Sequence, residues 1–329
     1  MTAYILQDPA LLHLWHPVLL SSRLGEAPAA VEVLNERIVV FRTSCGVHAL
    51  KDLCIHRGVP LSLGRISGDE IVCPYHGWTY DVCGKCTRIP SLPKGAAIPL
   101  KAATAAFRCR EAYGIIWVCL GSPATEEPVI GHNGLREDFV QVYMGPYEIA
   151  AAGPRVVENF LDVSHLMFVH GGLLGDSEFS EINDYRVHEA GGTLATDEIE
   201  VYQPDPDGRG VGVNTFYTYT IYHPLSVSLT KRIEGCEDRF QLYLFVLPRN
   251  LGCSTAFMIM ERNYALDEPE ATFIAFQDLL LEQDRVIVEN QKPELLPLDL
   301  QAELHLRCDR LSIAYRKMLQ SAGVTFGTE

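Results

Sequence analysis

The chain has 329 residues, 47% of them hydrophobic, enough to bury a large core and, by length, two domains rather than one. Its formal net charge of −15 excludes nucleic acid as an expected partner, because no block of Lys and Arg offsets that field along a phosphate backbone. No long uninterrupted apolar run occurs, so no membrane-spanning helix is expected.

The opening stretch, "MTAYILQDPALLHLWHPVLL", has no basic leader, and Asp8, Pro9, His13, His16 and Pro17 break its apolar run. It does not read as a signal peptide, which places the expected location in the cytoplasm. In that reducing compartment the ten cysteines are not expected to form disulfides, and metal binding is the leading alternative for some of them.

From about 30 to 120 the pattern is of short strands: "IVVFR" (38–42), "VHALK" (47–51), "EIVC" (70–73), "WTYDV" (78–82) and "GIIWVCL" (114–120). Gly, Pro, Asn and Ser separate them, which predicts a small sandwich or barrel. The polar stretch "GSPATEEPVIGHNG" (121–134) marks the domain boundary, giving domains over 1–125 and 126–329.

"RVVENFLDVSHLMFV" (155–169) predicts a helix ended by Gly171-Gly172. Strand-like runs follow at 214–232, 239–248 and 254–264. Two helices close the chain, near 269–291 with Pro293 as its stop, and near 309–322 ending at Gly323. Strands followed by helices predict an α+β layout, an antiparallel sheet with helices on one side. No internal repeat is visible.

Two short loops carry the first chemical constellation, Cys54-x-His56 and, sixteen residues on, Cys73-x-x-His76 in "CPYHGW". Two thiolates and two imidazoles hold either one tetrahedral zinc or a two-iron cluster. The tight C-x-H spacing converges poorly on a single tetrahedron, which favours two cysteines on an inner iron and two histidines on an outer one. Nearby, Cys83-Gly-Lys-Cys86 reads as two cross-strand neighbours about a Gly84-Lys85 turn, without the βαβ context of a redox motif. Cys45, Cys109, Cys119, Cys236, Cys253 and Cys308 have no partner at ligand spacing and read as small buried hydrophobes.

A second constellation lies in "ENFLDVSHLMFVH". Asn159, Asp162 and His165 are three apart on one polar face of the predicted helix, about 60° between neighbours. His165 and His170 are five apart, about 140° on an ideal helix, so they meet only if the helix loosens before Gly171. The late helix offers Asp278, Glu282 and Asp284 as a carboxylate. Two histidines and one carboxylate make the facial triad of non-haem Fe(II) oxygenases, which leaves three positions open.

These motifs together resemble the Rieske non-haem iron oxygenases, nearly end to end. "CIHRG…CPYHGW" is similar to the family's cluster motif and implies Cys54, His56, Cys73 and His76 as ligands of a [2Fe–2S] cluster. "NFLDVSHLMFVH" resembles its D-x-x-H-x-x-x-x-H motif and implies His165 and His170 as ligands of a mononuclear Fe(II), with Asp162 as a bridging carboxylate. "EQDRVIVE" resembles the third-ligand segment and selects Asp284. Asn159 matches an asparagine near the iron in the demethylase branch. The resemblance implies an all-β Rieske domain followed by a START-like (helix-grip) domain. The length resembles the branch that works as homotrimers, which includes O- and N-demethylases and saxitoxin-type hydroxylases, and "LWHPV" and "CDRLSIAYRKML" resemble its N-demethylase and saxitoxin-type members.

The implied reaction is hydroxylation or oxidative demethylation of a small aromatic or heterocyclic substrate with O₂ and electrons from a flavin reductase or ferredoxin. In such a trimer electrons pass from one subunit's cluster to the next subunit's iron through Asp162. Two other readings stay open: a Rieske-type electron carrier, against which about 200 residues beyond the cluster region count, and a zinc-stabilised ligand-binding protein. Nine aromatic and Met residues between 213 and 264 (Phe216, Tyr217, Tyr219, Tyr222, Phe240, Tyr243, Phe245, Met258, Met260) supply sheet core, with a minority lining a cavity.

Overall fold

The computed structural model describes residues 8–130, 136, 138–204 and 211–329. Part of the predicted boundary stretch 121–134 lies outside them. The chain forms two compact units, Met1–Pro128 and Val129–Glu329.

The first unit is almost entirely β. After one helical turn, α1 (Pro9–Leu12), come β1 (His16–Leu20), β2 (Ala29–Val33), β3 (Glu36–Thr43), β4 (Gly46–Lys51), β5 (Arg65–Ser67), β6 (Glu70–Val72), β7 (Thr79–Tyr80), β8 (Cys86–Arg88), β9 (Ala106–Ala112) and β10 (Ile115–Cys119). They make a six-stranded sheet, β1-β10-β9-β4-β3-β2, and a smaller sheet, β5-β6-β7-β8. The six-stranded sheet is pinned by runs buried on consecutive residues, such as "IVVF" in β3 and all five residues of β10. Val39, Phe41, Leu50, Leu61, Ile71 and Tyr80 form the core beneath the small sheet.

The hairpin at 81–85 corrects one expectation. Cys83 lies inside the turn, where Asp81 Oδ1 accepts the N–H groups of Cys83 and Lys85 at 2.9 Å each. Cys86 faces Tyr80, not Cys83. An Asp that ties two backbone donors makes a longer turn than the two-residue loop expected. Cys45 is also exposed rather than buried, at the tip between β3 and β4.

The second unit has an eight-stranded antiparallel sheet and helices. Its strands are β11 (Val140–Ile149), β12 (Val187–Ala190), β13 (Thr193–Thr196), β14 (Ile199–Gln203), β15 (Val213–His223), β16 (Ser226–Ile233), β17 (Arg239–Asn250) and β18 (Cys253–Arg262). The order is β11-β18-β17-β16-β15-β13-β12, with β14 also pairing β15. The run read as one strand at 214–232 is a hairpin, β15 and β16, because Pro224 cannot donate to a ladder and breaks it.

α2 (Gly153–Leu161), α3 (Glu270–Val288) and α4 (Arg310–Ala322) complete the unit. α4 stops at Gly323, φ +73°, a left-handed cap as its sequence predicts. α2 and α4 are joined by a buried ion pair, Arg316 Nε and Nη2 to the Glu158 carboxylate at 2.6 and 2.8 Å. No helix among the described residues is long and apolar enough to cross a membrane.

Candidate metal centres

The two Cys/His loops of the first unit leave β4 and β6 and are closed in the same way. Cys54 N–H donates to Val59 O and Gly58 N–H returns to Cys54 O, both 2.8 Å. Cys73 N–H donates to Trp78 O (2.8 Å) and Gly77 N–H to Cys73 O (3.1 Å). Each loop turns back on a glycine with positive φ, +72° at Gly58 and +69° at Gly77, which is why both loops carry glycine four residues after the cysteine.

This double turn buries both thiols and turns the imidazoles outward. Cys54 and Cys73 are 2% exposed, whereas His56 is half-buried and His76 exposed. The His56 and His76 rings approach each other, Nδ1 to Nδ1 at 3.1 Å, and Trp78 stacks on His56 with centroids 4.7 Å apart. Burial raises the Cys73 thiol above its ordinary pKa, opposed by the N–H groups of Tyr75 and His76. Behind the cysteines, the buried Tyr80 hydroxyl lies 3.2 Å from Cys54 Sγ. Two buried sulfurs and two outward imidazoles are the donor set of a two-iron cluster with unlike ends. Tyr80 and Trp78 were not among the sequence candidates, although "GWTY" follows the second histidine directly.

In the second unit the predicted helix 155–169 is not continuous. α2 ends at Leu161, and Asp162 is extended, φ −79° and ψ 120°. Its Oδ1 accepts Ser164 N–H at 2.7 Å, an Asx turn that competes with the helical bond. A short 3₁₀ turn, Ser164–Met167, follows. Asp162 and His165 therefore do not share a helical face with Asn159. The break is what brings His165 and His170 together, with ring centroids 5.1 Å apart.

α3 supplies the carboxylate. Asp284 Oδ1 lies 3.2 Å from His170 Nε2 and 3.5 Å from His165 Nε2. Ligand atoms of these three residues lie within 4.8 Å of one another. The two rival acids are engaged elsewhere: Asp278 accepts from the Tyr147 hydroxyl at 2.7 Å, and Glu282 pairs with Arg285 at 2.7 Å. His170 Nδ1 meets Gln283 Oε1 at 2.7 Å. That contact places the proton on Nδ1 and leaves Nε2 free to ligate. Gln283 is visible in sequence only as the residue before Asp284.

Asp284 Oδ1 and His165 Nδ1 are both buried without a hydrogen-bond partner. An orphaned carboxylate oxygen between two imidazole nitrogens fits a bound cation. Burial lowers the His165 pKa despite Asp284 and Asp162, whereas at His170 the carboxylate and Gln283 outweigh burial and raise it. Asp162 Oδ2 stands 4.0 Å from His165 Nδ1, its side chain 41% exposed. Asn159 does not line the large cavity; it borders a small space with Asp284 and Arg285.

The triad opens on a cavity of about 710 Å³ between the sheet and α3. Its wall includes one cross-strand row, Tyr219, Leu229, Leu242 and Met260. Phe160 meets Tyr219 edge-to-face at 6.3 Å. Of the nine aromatic and Met residues singled out in sequence, four line this cavity: Tyr217, Tyr219, Phe240 and Met260.

Comparison with known proteins agrees with both centres. Residues 14–106 match the Rieske [2Fe-2S] domain model, and residues 149–324 match the vanillate O-demethylase oxygenase C-terminal domain model. Methylxanthine N1-demethylase NdmA of Pseudomonas putida is 32% identical over 94% of this chain and 88% of its own. Methylxanthine N3-demethylase NdmB of the same organism is 30% identical over 95% and 90%. The structure of Pseudomonas putida CBB5 NdmA with caffeine superposes with a TM-score of 0.84 at 32% identity, covering 95% of this chain and 91% of that one. Dicamba monooxygenase bound to dicamba, at 22% identity and a TM-score of 0.80, shares the fold over 95% and 97%. The Rieske match decides between iron and zinc, which the spacing alone left open.

Proposed function

This chain belongs to the Rieske-domain mononuclear-iron oxygenases, and from that premise we propose that it inserts one oxygen atom of O₂ into a C–H bond of a small aromatic or heterocyclic substrate. One substrate, one O₂, two electrons and two protons give a hydroxylated product and one water. Where the carbon is an N- or O-methyl group, the product collapses to formaldehyde and the demethylated compound. The observation that carries this reading is the His165, His170 and Asp284 triad opening on a largely apolar cavity, in a chain with a separate Cys/His cluster site.

We assign Cys54, His56, Cys73 and His76 to the [2Fe–2S] cluster and His165, His170 and Asp284 to Fe(II). When bound, these metals supply stepwise electron delivery and O₂ activation. The protein's own part is positional. Gln283 orients His170, and Phe160 and Tyr219 keep water from the wall beside the triad. The sheet and α3 present the substrate carbon to the open face. Residues 1–125 serve electron entry and 126–329 the oxygenation. The sheet packed against α3 supports a START-like, helix-grip assignment for the latter.

We read Asp162 as an intersubunit relay in a homotrimer, in which the outward His76 of one chain approaches the exposed carboxylate beside the neighbour's His165. Asn159 is assigned to the surroundings of the iron. Electrons enter from a ferredoxin or flavin reductase, in a cytoplasmic setting.

The test is turnover by iron-loaded protein with NADH and a compatible reductase, against methylated aromatics, alkaloids and guanidines. Product carrying ¹⁸O from ¹⁸O₂, or formaldehyde matched to O₂ uptake, is expected. Equal turnover by the His170→Ala variant would overturn the proposal.

A further inference from the structure

The small space that Asn159 borders lies between α2, α3 and the sheet, about 40 Å³ beside the 710 Å³ of the large cavity. α2 turns Val156 and Phe160 toward it, four residues apart on one helical face, and α3 turns Leu281 and Val288, seven apart. On the sheet side Ala256 of β18 leaves room, since its cross-strand partner is Val246 and the next pair on that face is Met258 with Leu244. Phe160, Gln277 and Asp284 line both spaces, so these three side chains form the partition between them. One residue of that partition belongs to the triad.

Size and lining decide what such a space holds. One water needs roughly 10–15 Å³ of such room, so the space admits on the order of two or three non-hydrogen atoms and excludes an aromatic ring. Eight of its twelve lining residues are apolar, and an apolar cavity stays dry and takes up apolar guests such as xenon. Of the polar four, Gln277 and Asp284 stand in the partition, and Arg285 is held by Glu282 at 2.7 Å. Arg285 Nε is buried without a hydrogen-bond partner. That edge, with Asn159, is where water competes for the space.

Resting on the function proposed above, we infer that this chamber is a binding site for O₂, a small apolar diatomic molecule, separate from the substrate cavity. A substrate presented to the open face of the triad occupies the large cavity. The chamber reaches Asp284 without passing through that cavity, so O₂ is held close to the triad while substrate is in place. The apolar walls favour O₂ over water, and the size of the chamber keeps the substrate out of it.

The test uses protein loaded with its cluster and iron. Crystals under krypton, an apolar atom about as wide as O₂ is long, should show an anomalous peak in the chamber, beside Ala256 and Leu281. Ala256→Leu fills the space and should remove that peak. In the same variant the KM for O₂ should rise about tenfold or more with kcat at saturating O₂ unchanged, a loss of binding and not of chemistry. Substrate affinity measured without O₂, iron content and the cluster spectrum should stay as in the parent, whereas a general disturbance of the fold would move them together. If Ala256→Leu loses iron or secondary structure, Ala256→Val takes its place, with the same direction of change expected. Ordered water in place of krypton, or an unchanged KM for O₂ in a variant that no longer takes up krypton, overturns the inference. Turnover with O₂ by protein without a krypton site removes this inference and leaves the oxygenase reading. A krypton site in protein that consumes no O₂ with any compound of the substrate panel removes the oxygenase reading and, with it, O₂ as the occupant.

Discussion

The Tyr80 hydroxyl stands 3.2 Å from Cys54 Sγ while its oxygen accepts the Ile55 N–H at 3.3 Å. A Cys54 sulfur bound to a cluster carries no hydrogen, so in that contact the phenol proton is the one donated. Burial first, and Cys54 second, push the phenol pKa far up, so that proton is not lost. A donor to a cluster sulfur stabilises the reduced, more negative state. Tyr80→Phe keeps the packing and removes the donor. Its cluster should form normally and show a reduction potential lower by tens of millivolts in a spectroscopic redox titration. An unchanged potential would mean that the hydroxyl serves the Ile55 amide alone.

Gln283 should matter to iron and not to the cluster. Gln283→Leu leaves His170 without the acceptor that fixes its tautomer. Iron affinity is expected to fall about 10- to 100-fold, read by chelator competition, with the visible cluster spectrum intact. Loss of both metals together would point to misfolding instead.

Asp162→Asn retains the oxygen that caps Ser164 and removes the charge beside His165 Nδ1. On the proposed relay, both metals stay bound while oxidation of the reduced cluster, in the presence of substrate and O₂, slows at least tenfold in stopped-flow absorbance. That magnitude corresponds to about 1.4 kcal/mol of barrier. Mixed trimers of Cys73→Ser and His170→Ala chains should regain activity, since one chain's cluster then serves the other's iron. A near-normal rate in the Asn variant would leave Asp162 as the Asx-turn residue alone.

His16 predicts acid sensitivity. It is 1% exposed, its Nε2 meets Leu11 O at 2.9 Å, and its Nδ1 has no partner. Burial lowers its pKa from 6.5 to about 4. The unfolded chain thus binds the proton more readily, so stability is fully present above pH 6.5 and is lost as pH falls toward 4, by about 3 kcal/mol. His16→Gln retains a donor for Leu11 O without titrating. Its denaturant midpoint should vary less between pH 7 and 4.5 than that of the parent; an identical slope would assign the loss to other groups.

Local chemistry was legible in the sequence because it is encoded over a few residues. A cysteine, a histidine and a glycine within five positions specify a ligand loop, and the same pattern written twice specifies the cluster site. α4 was legible from its boundary residues, and α3 to within three residues at its C-terminal end. The end of α2 was not, because Asp162 reads as a polar helix position until its carboxylate is seen holding Ser164 N–H. β15 to β18 were legible as strand-like runs, but β11 was not, because Gly145-Pro146 interrupts it, and β12, β13 and β14 are only four or five residues long, too short for the alternation of β13 and β14 to stand out.

The amino-acid sequence by itself determined the kinds of ligand, their loops and the two-part order of strands and helices. Spacing left three acids on α3 open and only the family resemblance singled out Asp284; the tertiary structure shows it facing the histidines, with Tyr147 and Arg285 taking the other two acids. Only register across β15 to β18 decided which aromatic residues line the cavity. Side chains more than a hundred residues apart meet at these sites, and contacts at that range follow from packing and strand pairing rather than from any local pattern.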